Sequence, residues 1–153
     1  VVRRFGRPIL TASGEIDRRA LGTLAFSSPE KLASLNTIIH PLVIRAEQEW
    51  YEHLGQTDPD AIGVVEAAIL IETGSYKRFD KIILTVCRRE QQIARAMRRD
   101  RLSRQEIEAR MSRQMSLDEK RKFADYVVDT SGDRRAALIQ TRRVYEQLRS
   151  LKP

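Results

Sequence analysis

An α/β fold built on a parallel sheet is predicted by two features of the chain. The first is a set of three apolar runs with no alternation of polar residues: "AIGVVEAAIL" (61–70), "KIILTVC" (81–87) and "DYVVD" (125–129). Unbroken runs of this kind are typical of strands covered on both faces. The second is that helical patterns separate these runs. Strands alternating with helices are the mark of a layered α/β fold.

The elements follow in order. Residues 14–26 place Ile16, Ala20 and Leu24 on one helical face. Ser28 then caps a helix with Pro29 at its first position and Leu32, Leu35 and Ile39 on its apolar side. His40–Pro41 is expected to end it, because the residue before proline is pushed out of the helical region. A further helix is expected from Pro41 to Gly55, presenting Leu42, Val43, Ala46, Trp50 and Leu54. The loop "QTDPD" (56–60) leads to the first apolar run, and the second run is followed by a helix from about Arg89 to Arg99. Ser103 with Glu106, and Ser116 with Glu119, are capping-box spacings for two more helices. After the third run, Asp133 caps a helix over 133–151 expected to turn Leu138, Val144, Tyr145, Leu148 and Leu151 inward. The domain reading is 1–60, helical; 61–90, core strands; 91–123, an arm; and 124–153, the last strand and helix.

With 153 residues and 41% hydrophobic content, the chain has enough apolar material for one cored domain. No apolar run approaches the roughly 18 residues of a membrane span, so no membrane partner is expected. One cysteine, Cys87, allows no internal disulfide and fits a reducing cytoplasm. The net charge is +7, and 22 of the 28 basic residues are arginine. Arginine is favoured where a planar fork grips phosphate or carboxylate, so an anionic partner is implied.

Seven of these arginines lie in "ARAMRRDRLSRQEIEARMSRQMS" (94–116). Arg95 stands one turn before Arg98 and Arg99, and Arg110 one turn before Arg113 and Gln114. Ile107, Met111 and Met115 make an apolar seam. Three readings stay open for the stripe. It is a solvated face stitched by pairs such as Glu106–Arg110, a clamp closing on a polyphosphate, or a nucleic-acid contact. Against the last, the stretch has no aromatic residue and is interleaved with acidic ones, so no nucleic-acid partner is expected.

His40 at a helix junction fits a structural hydrogen-bonding role as well as a functional one. His53 reads as surface and Cys87 as packing. Glu66 and Glu72 bracket the first run. Glu72 sits at its carboxyl end, where open α/β sheets bind ligands. There is no metal-ligand cluster and no GxxxxGK[ST].

Taken together, "FG" (5–6), "GEIDRRALGTLAFSSPEKLASLNTIIHPLV" (14–43), "VVEAAILIETG" (64–74), "FDKIILTV" (79–86), the spaced Gln, Arg and Asp of 91–114 and "ADYVVDTSG" (124–132) resemble the dephospho-coenzyme A kinases. The resemblance covers almost the whole chain. It implies a three-layer P-loop kinase-like parallel sheet flanked by helices, with a helical substrate domain and an arginine-rich lid. It implies ATP with Mg²⁺ and dephospho-coenzyme A as partners, transfer of the γ-phosphoryl group to the ribose 3′-hydroxyl, and a monomer or weak homo-oligomer. By position it implies phosphate contacts from Arg95, Arg99, Arg110 and Gln114, and substrate contacts from His40 and Glu72. Gln91 and Asp100 match further family positions, and Thr130 replaces the family's asparagine. The family's N-terminal strand–helix–strand unit needs roughly 30 residues or more, and four precede Phe5. That unit is expected to be missing, with the phosphate loop and the general base upstream of Val1, and the 153 residues alone are expected to be inactive.

Overall fold

The computed structural model describes residues 1–151 and divides into two compact units, one of residues 1–63 and one beginning at Val64. In the first, a short helix α1 (Val2–Phe5) and a 3₁₀ turn (Arg7–Ile9) lead to α2 (Arg18–Ala25). The Asp17 carboxylate caps α2 by accepting the N–H groups of Arg19 and Ala20 at 2.8 and 3.0 Å. Ile9 and Ala25 are fully buried at its centre.

Helix α3 (Pro29–Thr57) begins at the Ser28 cap and runs for 29 residues. This corrects the expected break at His40–Pro41, since Pro41 lies inside one continuous helix. Pro41 is exposed, so the carbonyl of Thr37, which loses its helical partner, can turn to water. The helix is also long enough on either side of the proline to sustain itself. Near the end of this unit Gly63 packs directly on the Tyr51 ring. A Cβ there would overlap that ring and come within 3.2 Å of Trp50, so only glycine fits.

The second unit holds the sheet. Strand β1 (Ile83–Val86) pairs in parallel with β2 (Tyr126–Asp129), in the register Ile83↔Tyr126 to Val86↔Asp129. Asp125 sets the start of that register. Its carboxylate accepts the backbone N–H of Ile82 at 2.8 Å and the Lys81 ammonium at 3.1 Å. The expected strand at 61–70 is not formed. Residues 61–67 have no regular structure and 68–70 form a turn. A strand is defined by its neighbour's backbone, and among the described residues this run has no ladder partner. Val64 is accordingly 68% exposed.

Between the strands come α4 (Arg89–Asp100), α5 (Arg104–Met111) and α6 (Leu117–Arg121). Both capping boxes expected from sequence are present, Ser103 with Glu106 and Ser116 with Glu119. Arg101, in the left-handed region at φ 55°, turns the chain from α4 toward α5. Helix α7 (Arg134–Ser150), capped by Asp133, packs beside β2. Ile71, Ile82, Val86, Ile93, Ile107, Val128 and Val144 form the unit's buried core. Of the five α7 residues expected inward, Val144 is buried and Leu148 half-buried, while Leu138, Tyr145 and Leu151 are exposed. A sheet two strands wide covers only a narrow stripe of a helix.

Candidate functional site: the arginine arm and the strand ends

The carboxyl ends of β1 and β2 are knitted to α4. The Thr130 N–H and hydroxyl both donate to the Val86 carbonyl, at 2.8 and 3.0 Å. The Arg88 N–H reaches the Ser131 hydroxyl at 3.1 Å, and Gln91 Nε2 donates to the Ser131 carbonyl at 2.9 Å. One turn on, Arg95 places Nη1 on Thr130 Oγ1 at 3.0 Å and Nη2 on the Thr130 carbonyl at 2.8 Å. Arg95, expected on phosphate, is thus a strut between α4 and the loop after β2. Gln91 Oε1 is buried there with no hydrogen-bond partner.

Arg95, Arg98 and Arg99 line an open cleft of about 330 Å³. At its edge the arm's two helices meet on one carboxylate. Arg99 forks onto Asp100, Nε to Oδ1 at 2.7 Å and Nη2 to Oδ2 at 3.1 Å. From α5, Arg110 Nη1 stands 3.5 Å from the same Oδ2. The hydrogen bond from Arg99 leads the causes that hold the Asp100 carboxyl below its ordinary range. The side chains of Arg99 and Arg110 remain 76% and 55% exposed, so a competing anion has access to both. Where a stitch from Glu106 was expected, Arg110 reaches Asp100, and Glu106 closes the capping box on Ser103.

A second ionic cluster fastens α5 to α4. Arg104 forks onto Glu90 with both contacts at 2.8 Å, and its Nε reaches Glu108 at 3.1 Å. Glu90 holds the Arg104 guanidinium firmly protonated.

The arm's return is anchored from below. Lys120 is buried, with its Nζ 2.8 Å from Glu72 Oε1 and 3.0 Å from the Ala68 carbonyl. The Met115 N–H donates to the same Glu72 oxygen at 3.0 Å, which fixes the backbone beside half-buried Gln114. Burial pushes the Glu72 carboxyl up, but the bonds from Lys120 and from backbone N–H groups outweigh it and hold the group below its usual value. Glu72 Oε2 is buried and accepts no hydrogen bond. His40 belongs to the first unit, half-buried on α3. Sequence reasoning missed Lys120, which has no periodic signature, and the Asp100 bridge, which the adjacent "RRD" could have suggested. Among the described residues no three His, Cys, Asp or Glu side chains converge to hold a metal ion.

The strand ends of a parallel sheet are joined here to an arginine-bearing helical arm, and the chain's structural neighbours identify its class as an α/β kinase. It belongs to the dephospho-CoA kinase family, whose profile matches residues 1–135. It is 36% identical to a dephospho-CoA kinase from Aquifex aeolicus, over 97% of this chain and 74% of that protein. Identity is again 36% to one from Syntrophus aciditrophicus, where it covers 97% of this chain and 63% of that protein. Among solved structures, one from Thermus thermophilus superposes with a TM-score of 0.76 at 31% identity, covering 95% of this chain and 73% of that one. A dephospho-CoA kinase from Campylobacter jejuni gives 0.65 at 25% identity, covering 96% and 73%.

Proposed function

We propose that the protein transfers the γ-phosphoryl group of ATP to the ribose 3′-hydroxyl of dephospho-coenzyme A, and that these residues supply the arm that grips the nucleotide's phosphates. The observation that carries this is the meeting of Arg99 and Arg110, from two helices, on the single Asp100 carboxylate. Two guanidinium groups held on one carboxylate are spaced to receive a phosphate, an acceptor of the same geometry with more charge. As the arm closes, the phosphate replaces part of the Asp100 contact and its developing charge is met by two fixed cations.

The other residues have supporting parts. Glu72 and Lys120 hold the arm's return at Met115, next to Gln114. Arg95 and Gln91 fix the loop at Thr130–Ser131 against α4, beside the nucleotide. His40, on α3, contacts dephospho-coenzyme A in this reading. ATP enters as its Mg²⁺ complex. No phosphate loop or general base is assigned here, since the 153 residues contain no GxxxxGK[ST]. By themselves they are expected to bind nucleotide without turnover. The reaction is placed in the cytoplasm, carried out by a monomer or weak homo-oligomer.

The test is an assay for coenzyme A made from dephospho-coenzyme A, ATP and Mg²⁺ by protein expressed from its whole reading frame. Product above a no-enzyme control is expected. Folded protein that makes none overturns the reading.

A further inference from the structure

Helix α7 turns an unusual face to solvent. Its sheet side is Val144, with Leu148 and Ala137 beside it, and these are buried or half-buried. At roughly 100° per residue, the adjoining face gathers Arg134, Tyr145, Leu138, Arg149, Arg142 and Arg135 within about 100° of arc. All six are exposed, Leu138 by 66% and Tyr145 by 53%. Arg135, Arg142 and Arg149 recur every seventh residue, about 10.5 Å apart along the axis. Within the helix the acidic residue is Glu146, whose Oε1 stands 3.8 Å from Arg142 Nε.

We propose that this face docks on the anionic headgroups of a lipid bilayer. Two features select that partner. The stripe is straight and convex, which suits a broad surface and not a pocketed ligand. Its middle holds an aliphatic side chain and a tyrosine, flanked by arginines. A bilayer interface accommodates all three kinds at once: the apolar groups sink among acyl chains, the tyrosine hydroxyl stays at headgroup level, and the guanidinium groups reach out to phosphates. A nucleic-acid backbone would meet the arginines but give Leu138 nothing to bury against. No described helix is long and apolar enough to cross a membrane, so the contact is a surface one. It stands independently of the phosphoryl-transfer reading, because none of these residues belongs to the arm.

The experiment is vesicle co-sedimentation of the full chain. Vesicles with about 30 mol% phosphatidylglycerol in phosphatidylcholine are expected to carry the protein down at about 0.1 M salt and release most of it at about 0.5 M, while pure phosphatidylcholine leaves it in solution. The triple variant Arg135→Gln, Arg142→Gln, Arg149→Gln is expected to lower partitioning on the order of a hundredfold. Its helicity by circular dichroism should be unchanged, since all three side chains face solvent. Leu138→Ser with Tyr145→Ser is expected to weaken binding about tenfold with the salt dependence intact. Competing inorganic phosphate at millimolar concentration separates a bilayer from a simple anion site and is expected to displace nothing. No sedimentation with anionic vesicles, or a folded triple variant that partitions like wild type, overturns the proposal. So does a face that binds duplex oligonucleotide tightly and vesicles not at all.

Discussion

At the residue scale, Lys120 and Glu72 form an ion pair with side chains only 10% and 19% exposed. Removing one partner strands the other. Lys120→Met is expected to cost about 3 kcal/mol in urea unfolding, and a double variant that also makes Glu72→Met to regain roughly half of that loss. The carboxyls of Glu72, Asp125 and Asp129 all lie below their ordinary values. A group depressed in the folded state lends stability that is complete above its unfolded pKa, about 4, and vanishes as pH falls through the folded value. Urea midpoints should therefore hold steady from pH 7 to about 5 and fall below about 4, and Asp125→Asn should flatten that fall. Arg99→Ala and Arg110→Ala test a different property. Each is expected to lower turnover about ten- to a hundredfold while shifting the melting temperature little, because both side chains are largely exposed. Wild-type kinetics in both would mark them as a solvated face.

At the element scale, legibility tracked how local the cause was. Both capping boxes lie within four residues of sequence, and both formed as read. Ser103→Ala removes the hydroxyl that caps the Glu106 N–H and is expected to cost about 1 kcal/mol, measured as lost α5 protection in amide exchange. The runs at 83–86 and 126–129 became strands because each had the other. The run at 61–70 had the same composition and no such neighbour, so its residues alone could not reveal the difference. His40–Pro41 misled for the opposite reason: the local rule was sound, but an exposed carbonyl in a long helix tolerates the loss. In the site, the arginine stripe on each helix could be read from its spacing, but the meeting of Arg99 and Arg110 on Asp100 could not. The destination of Arg95 could not, since Thr130 lies 35 residues away in sequence.

At the scale of the whole molecule, the charge of +7 would serve a nucleotide enzyme or a nucleic-acid binder equally well. Salt dependence separates them. Binding to ATP or coenzyme A, with few phosphates in a cleft, should weaken only modestly between 50 and 200 mM salt. A nucleic-acid backbone held by 6–10 contacts would lose roughly 10³–10⁵ in affinity over that range. Side-by-side titrations with labelled oligonucleotide and nucleotide are expected to give the shallow slope for nucleotide and weak oligonucleotide binding throughout. The acidic partners already seated on Arg99, Arg104 and Arg110 are what should blunt a long polyanion.

The parallel pairing of Ile83 with Tyr126 also bears on how the chain finds its shape and how freely it can vary. Everything in the arm lies inside the loop that this pairing closes. The entropy of closing a loop grows only logarithmically, by about 0.6 kcal/mol for each doubling of length. In loop-closure entropy alone, lengthening the arm at its exposed turns therefore costs the sheet almost nothing at equilibrium, while so distant a contact must wait on the search for its ends and slows folding. The arm's exposed face is free to vary around a new ligand, while Ile93, Ile107 and Lys120 keep its inner face tied to the scaffold beneath it.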